Sequence, residues 1–292
     1  MMEVQKHKDN SLLKRIIVAL IFGPLIIWIF LIKGIALYIF LIIITSFGQW
    51  ELFRMLRGKL GFLHRLVGFV SGLTIITDAF FGFSAHLIGI LTLTVILYFV
   101  IEIITGKEHR FENVLLSLFV TVYPALFLIF LVRIEQINNI VIGGDKSIII
   151  TLDKRFILLY VLLFIWMFDT VSYFSGRFFG KHTFFHSISP RKTVEGFFGG
   201  LISVVLLGII MSLIVHTSCM FHFIALALIT VFAGQIGDLS ESIIKRELDV
   251  KDSSNIIPGH GGILDRFDSL IFAAPVVYFY LLVCSLYYRG CY

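Results

Sequence analysis

The chain has 292 residues, of which 58% are hydrophobic and 15% charged, and its formal net charge is +5. Soluble globular proteins average about 45–50% apolar and about 25% charged residues, so this composition excludes an ordinary soluble protein and predicts an integral membrane protein. A nucleic-acid partner would require a basic domain, which a chain of this charge and composition does not contain.

Apolar segments near the ~20 residues that cross a bilayer recur along the chain. We predict nine spans, at roughly 16–32, 34–48, 62–80, 84–101, 113–132, 156–176, 197–215, 220–237 and 269–287. Each must be helical, because lipid offers no partner to an open peptide group. The predicted fold is therefore an all-α polytopic membrane protein. We treat residues 1–292 as one transmembrane domain, with N-terminal helices in 1–155 and a motif-bearing half in 156–292.

The basic residues predict the orientation of these spans. With the N-terminus inside, the basic loops after spans two, six and eight all lie on the inner side, as the positive-inside rule requires. The loop at 133–155 is an exception to this rule, since it carries four basic residues and would lie on the outer side. The majority of loops favours a multi-pass protein with its polar site at the cytoplasmic face.

Span six carries a polar stripe in an otherwise apolar helix, with Asp169, Ser172, Tyr173 and Gly176 at helical spacing. A helix–helix contact built from small and polar residues explains Ser172 and Gly176. It does not explain the ionisable Asp169, which we assign to function or to an ion pair.

The loop that follows span six places hydroxyl groups beside basic side chains, a combination that suits phosphate oxygens. These residues are Ser189, Arg191, Lys192 and Thr193. Alone they would be an ordinary inside loop. Facing the acids described next, they are predicted to form the second wall of a site.

Span eight leaves the membrane with Asp238, then Glu241 or Ser242, and then Lys245 on one helical stripe, and Arg246 adjoins it. A solvated helix end with internal ion pairs explains Glu241 and Lys245 equally well. Asp238 is different, because an acid at the membrane boundary is costly unless it is paired or coordinated.

A glycine-rich turn and two acids come next, in the sequence PGHGGILDRFD. Glycine turns let backbone N–H groups approach phosphate, and Asp265 and Asp268 lie three residues apart. Carboxylates with substrate phosphates are the usual ligands of Mg²⁺, so Asp238, Asp265 and Asp268 are predicted metal ligands. Lys245, Lys251 and Arg266 are predicted to hold phosphates. His260 is interpreted as a hydrogen-bonding spacer in the turn rather than as a direct catalyst.

Taken together, these motifs identify a resemblance. The chain resembles the bacterial phosphatidate cytidylyltransferase (CDP-diacylglycerol synthase) family. The resemblance rests on the S-x-x-K-R-x(4)-K-D and PGHGGILDRFD elements at 242–268, the lead-in at 235–242, the runs at 169–181 and 189–196, and the Trp50-Glu51 pair. The motif-bearing match covers about the C-terminal half.

The resemblance implies an enzyme that requires Mg²⁺ and converts CTP and phosphatidic acid to CDP-diacylglycerol and pyrophosphate. It does not specify whether a second cation binds or which cation that is. It also implies a homodimer in the bacterial cytoplasmic (inner) membrane. Asp238, Asp265, Asp268 and Lys245 then act in catalysis. The implied substrate-binding residues are Arg246, Lys251, Arg266, Ser189, Arg191, Lys192, Thr193, Asp169, Ser242, His260 and Gly261.

Two alternatives stay open. The chain could be a relative of this family that activates another lipid phosphate, of ether or isoprenoid type, because an apolar cleft discriminates weakly between different lipid tails. A transporter could use Asp78, Asp169 and Asp238 as ion sites. The transporter is the less favoured, because the polar residues crowd the ends of spans six and eight rather than mid-membrane.

Overall fold

A computed structural model of the protein describes residues 18, 20–56, 58–82, 84–105, 108–137, 154–185, 188–215, 220–257 and 261–289. Its helices are α1 (Leu20–Ile32), α2 (Gly34–Met55), α3 (Phe62–Phe81), α4 (Leu87–Thr105), α5 (Arg110–Gln136), α6 (Lys154–Phe179), α7 (Val194–Ile214), α8 (Met220–Glu247) and α9 (Leu264–Arg289). Two short strands, β1 (Thr183–Phe185) and β2 (Ser189–Thr193), lie between α6 and α7.

Within the described residues, eight helices, α2 to α9, are long and apolar enough to cross a membrane. They coincide with the predicted spans two to nine, so the prediction of an all-α polytopic membrane fold is confirmed. Helix α1 is shorter, and the beginning of the predicted first span lies outside the described part of the chain. The dissenting loop at 133–155 lies almost wholly outside it as well.

The exposure pattern of α4 is the reverse of that in a soluble protein. Ile88, Ile103 and Ile104 are 81%, 72% and 75% exposed, whereas Thr94 and Glu102 are buried at 1% and 2%. Polar groups turn inward and find partners there, while the aliphatic surface is left for lipid.

The chain divides into two compact units. The first comprises Met1–Val132 and Glu247–Phe267, and the second comprises Arg133–Arg246 and Asp268–Tyr292. The boundary therefore falls inside α9, between the two acids of its first turns. The treatment of 1–292 as a single domain stays a prediction.

Polar contacts between helices hold the first unit together. His64 Nε2 lies 2.7 Å from Glu102 Oε1, and both side chains are almost fully buried. The Tyr98 hydroxyl lies 2.6 Å from Thr121 Oγ1, and Gln49 Nε2 donates to the Thr121 carbonyl at 3.2 Å. Such bonds are favoured in lipid, where the alternative is an unsatisfied polar group.

Small residues set the contact between α6 and α7 in the second unit. A Cβ on Gly200 would collide with Ser172 Oγ, and one on Gly176 would lie 2.8 Å from Thr193 Oγ1. This close approach is the helix–helix contact that we considered for Ser172 and Gly176 from the sequence.

The two strands form an antiparallel hairpin in which Thr183 is opposite Thr193. Its base is tied to α7, because Glu195 Oε2 accepts from the backbone N–H of Lys181 at 3.1 Å and of His182 at 3.3 Å. Thr193 Oγ1 accepts from Gly196 N at 3.1 Å and caps α7. The residue before the cap, Lys192, is thereby held in a defined place.

Candidate active site

The hairpin and α8 meet at an ion pair in the second unit. Lys192 Nζ contacts Asp238 Oδ2 and donates to Gln235 Oε1 at 2.9 Å. Gln235 and Asp238 are three residues apart, so they share a face of α8. The side chains of Lys192 and Asp238 are 25% and 29% exposed. A basic residue of one motif and an acid of another are thus joined at a partly exposed position.

One turn further along α8, Lys245 Nζ lies 3.3 Å from Glu241 Oε1. The Glu241 side chain is fully buried, and that of Lys245 is only 13% exposed. Ser242 is buried beside them. The pair is therefore internal rather than a solvated helix end, and a buried ion pair is by itself weak evidence for stability.

Asp268 joins this cluster because α9 approaches α8 closely. A Cβ on Gly237 would collide with the Asp268 carbonyl oxygen, so only glycine permits the approach. Asp268 is buried, with 8% of the residue exposed, and its side chain interacts electrostatically with Glu241, Asp238 and Lys245. Neighbouring carboxyls repel unless a proton or a cation accompanies them, which makes the cluster suitable for a cation.

In the first unit, Asp265 organises the glycine turn. Its Oδ2 accepts hydrogen bonds from Gly262 N at 2.8 Å, Ser253 N at 3.0 Å and Ser253 Oγ at 2.9 Å. Gly261 has φ +83°, which favours glycine, and its carbonyl accepts from Ile257 N at 3.0 Å. One oxygen of this predicted metal ligand is thus engaged by the turn itself.

A residue to which we assigned no role from the sequence also contacts this turn. Glu51, in the last turn of α2, is fully buried and accepts from Ile263 N at 2.8 Å and Leu264 N at 2.7 Å. An acid at the end of an apolar span was the available signal. Its partners lie more than two hundred positions away in the chain, so sequence spacing could not reveal them.

A cavity of about 370 Å³ opens beside the turn in the first unit. It is lined by Arg54, Met55, Val250, Lys251, Asp252, Ser253, Ser254 and Asn255. The Arg54 guanidinium lies 5.3 Å from the centroid of the Trp50 ring. Two cations and several hydrogen-bonding groups at one cavity can receive an anionic or polar group.

The remaining predicted residues are more dispersed. Arg246 Nε donates to the Ile188 carbonyl at 3.5 Å and so contacts the hairpin, Ser189 begins β2, and the Thr193 hydroxyl serves as a helix cap. Arg191, Arg266 and Asp169 are exposed. His260 lies outside the described residues.

The donor set fits Mg²⁺. Across the described ranges, no group of three or more His, Cys, Asp or Glu side chains is close enough to form a complete metal cage. Mg²⁺ is usually held by only one or two carboxylates, with phosphate oxygens and water completing its octahedron. Asp238 and Asp268, with Glu241 beside them, are oxygen donors of the required kind.

For the nucleotidyl transfer that the sequence resemblance implies, Lys192→Met is expected to lower kcat/KM by about 10- to 100-fold, because the cation predicted to face phosphate oxygens is lost and Asp238 loses its partner. Lys192→Arg, which keeps the charge, should retain more activity. Lys59→Met is the control, since Lys59 is paired with Glu112 at 3.6 Å on an exposed surface. Steady-state kinetics of the three purified variants test this, and equal losses for Lys59→Met and Lys192→Met would contradict it.

Comparison with known proteins places this site in a family. The cytidylyltransferase family model matches residues 13–284. A phosphatidate cytidylyltransferase of Bacillus subtilis is 34% identical over 258 residues, which are 84% of this chain and 90% of the relative. That of Aquifex aeolicus is 36% identical over 179 residues, 61% of each chain. That of Haemophilus influenzae is 47% identical over 134 residues, 44% of this chain and 46% of the relative. The family match extends over both units and all the described site residues, and the chain belongs to the cytidylyltransferase family.

Proposed function

We propose that the protein is a phosphatidate cytidylyltransferase, which converts CTP and phosphatidic acid to CDP-diacylglycerol and pyrophosphate. The observation that carries the proposal is the family match over residues 13–284, together with a relative of that name that aligns over 84% of the chain. The function inferred from the motifs and the enzyme class inferred from them, a nucleotidyltransferase, agree with both comparisons.

In the proposed reaction, a phosphate oxygen of phosphatidic acid attacks the α-phosphorus of CTP. The new P–O bond forms as the bond from the α-phosphorus to the bridging oxygen breaks, and pyrophosphate leaves with that oxygen. The attacking phosphate is already anionic near neutral pH, so it needs little help from a general base. Catalysis then depends on positioning and on neutralising the charge of the transferring group.

The chain's own residues supply that neutralisation. Lys192 and Lys245 are cations held by Asp238 and Glu241, respectively, in the second unit, and we propose that they face phosphate oxygens. Lys251, at the cavity of the first unit, is proposed to bind CTP phosphates. Keeping each cation paired with an acid holds it in place before the substrate arrives.

We propose Mg²⁺ as the cofactor, with Asp238 and Asp268 as ligands in the second unit. Asp265, three positions earlier in the sequence, stays a predicted ligand on the strength of the D-x-x-D spacing. A bound Mg²⁺ supplies charge stabilisation on the phosphoryl oxygens and helps to orient them. The identity of a second cation is left open by this donor set.

We further propose that the protein lies in the bacterial cytoplasmic membrane as a homodimer, with the site facing the cytoplasm. The basic loops after spans two, six and eight support this orientation. Soluble CTP would then arrive from the cytoplasm, and phosphatidic acid would arrive laterally from the lipid. The homodimer rests on the family resemblance alone.

An assay of the purified protein in detergent micelles with phosphatidic acid, radiolabelled CTP and Mg²⁺ tests the function. We expect label in the lipid extract, its loss with EDTA, and its recovery with excess Mg²⁺. A preparation that binds CTP but makes no labelled lipid would redirect the assignment to another lipid phosphate. Absence of CTP binding would overturn the assignment as a cytidylyltransferase. Label that persists in EDTA would remove the metal from the proposal.

A further inference from the structure

The carboxylate of Glu51 is fully buried at the end of α2, and four groups of the first unit donate hydrogen bonds to it. They are the hydroxyls of Ser253, at 2.9 Å, and Ser254, and the backbone N–H groups of Ile263, at 2.8 Å, and Leu264, at 2.7 Å. A buried carboxylate is costly unless donors surround it. Here each oxygen receives two bonds, so the charge is well satisfied.

These donors stand on either side of the glycine turn. Ser253 and Ser254 precede it, while Ile263 and Leu264 follow it, so Glu51 links described residues on both sides of the turn to α2. Leu264 is also the first residue of α9. The first N–H groups of a helix have no partner within the helix and favour a negative charge. Glu51 therefore fixes the beginning of α9 as well as the turn.

Ser253 extends this contact to Asp265. Its hydroxyl lies 2.9 Å both from Glu51 Oε2 and from Asp265 Oδ2. A hydroxyl has one proton, so the two carboxylates share a single donor. The backbone N–H of Ser253 gives Asp265 a further bond at 3.0 Å. The position of Asp265 thus depends on the position of Glu51 through Ser253.

Gly262 shows how tightly this network is packed. A Cβ on Gly262 would collide with Ser253 Oγ and would lie 2.5 Å and 2.7 Å from the two Glu51 carboxylate oxygens. Any side chain at this position would displace Glu51 or Ser253. Gly262 and the residues that follow it are therefore packed directly against the Glu51 carboxylate.

We propose that Glu51 is a positioning residue for nucleotide binding: its carboxylate holds the segment from Gly262 to Asp265 in the geometry that receives CTP phosphates. The inference rests on the proposed function. Glu51 is fully buried and its oxygens are already engaged by donors, so it acts through the turn rather than by touching substrate.

Glu51→Gln tests the proposal, because an amide of nearly the same size turns two acceptor sites into donors that face other donors. We expect KM for CTP to rise about tenfold or more, with KM for phosphatidic acid within about twofold of wild type. Glu51→Asp, which keeps the charge on a shorter stem, should recover part of the loss. Hydrogen exchange should increase at the described amides of 253–264 in Glu51→Gln, a readout that does not depend on activity.

Glu102→Gln is the matched control, since Glu102 is a buried glutamate of the same unit that pairs with His64 instead. It should leave the ratio of the two KM values unchanged. If Glu51→Gln does not fold, Ser254→Ala removes one donor to Glu51 and should give a smaller but still CTP-selective rise. Equal changes in both KM values, or unchanged exchange at 253–264, would overturn the proposal. A wild-type protein that makes no CDP-diacylglycerol would instead refute the proposed function. The hydrogen-exchange experiment would still test whether Glu51 holds the residues at 253–264 in place.

Discussion

Asp238→Asn is expected to reduce cytidylyl transfer about 100- to 1,000-fold while the protein remains folded, because removal of one preorganised group that stabilises a transition state has an effect of that size. Asp238 contacts Lys192 and lies within electrostatic range of the buried Asp268. The asparagine keeps the shape, but it loses the charge that holds Lys192 and that would attract Mg²⁺. Single-turnover rates of labelled CDP-diacylglycerol formation measure the loss.

Asp78→Asn is the matched control for this substitution. The Asp78 carboxylate accepts from His86 N at 3.2 Å and lies 2.9 Å from His86 Nδ1, and it has no part in the proposed site. This variant should keep near wild-type turnover. Near-normal turnover of Asp238→Asn would contradict the metal assignment. Loss of substrate flux with Asp78→Asn but not with Asp238→Asn would instead favour the transporter alternative.

Asp265→Asn is expected to reduce turnover at least about a hundredfold, on the scale of lost ligand or supporting contacts at a metal site. Two effects combine in it. The charge of a predicted ligand is lost, and the oxygen that accepts from Gly262 N and from both donors of Ser253 becomes a weaker acceptor. KM for CTP should rise together with the fall in kcat, since the turn loosens.

Ser253→Ala separates the two effects of Asp265→Asn. It removes the shared hydroxyl but leaves the charge of Asp265 in place. If Asp265 holds Mg²⁺, Ser253→Ala should have a much smaller effect on the Mg²⁺ concentration needed for half-maximal rate than Asp265→Asn. Equal Mg²⁺ dependence in the two variants would indicate that Asp265 only supports the turn. Thermal unfolding in detergent confirms that both variants are folded.

Much of the architecture follows from composition and local pattern. Apolar runs must become helices in lipid because no other open structure satisfies the backbone, so the positions of α2 to α9 could be predicted without any long-range information. The motif at 242–268 was likewise enough to identify the family, because its acids, bases and glycines stand at informative spacings along a single stretch of chain.

Local spacing was less informative where a residue acts through a distant partner. The sequence predicts a loop where the structure has the hairpin of β1 and β2. These strands are too short to show the alternation of polar and apolar residues that marks a strand. Thr193 stays a predicted phosphate contact, and the structure adds that its hydroxyl caps α7 by accepting from Gly196 N. Glu195, in the first turn of α7, accepts from the N–H groups at the beginning of the hairpin, a contact that spans more than ten positions in the sequence.

Composition and local pattern are enough to predict the class of protein, the helical spans and the charged residues available for chemistry, because these depend on neighbours within a few turns. Which charged residues meet one another is visible only in the folded chain. Gly237 lets Asp268 reach Glu241, the base of the hairpin carries Lys192 to Asp238, and α2 brings Glu51 to the glycine turn. Each of these contacts joins residues that are far apart in the sequence, so spacing along one stretch of chain cannot reveal it.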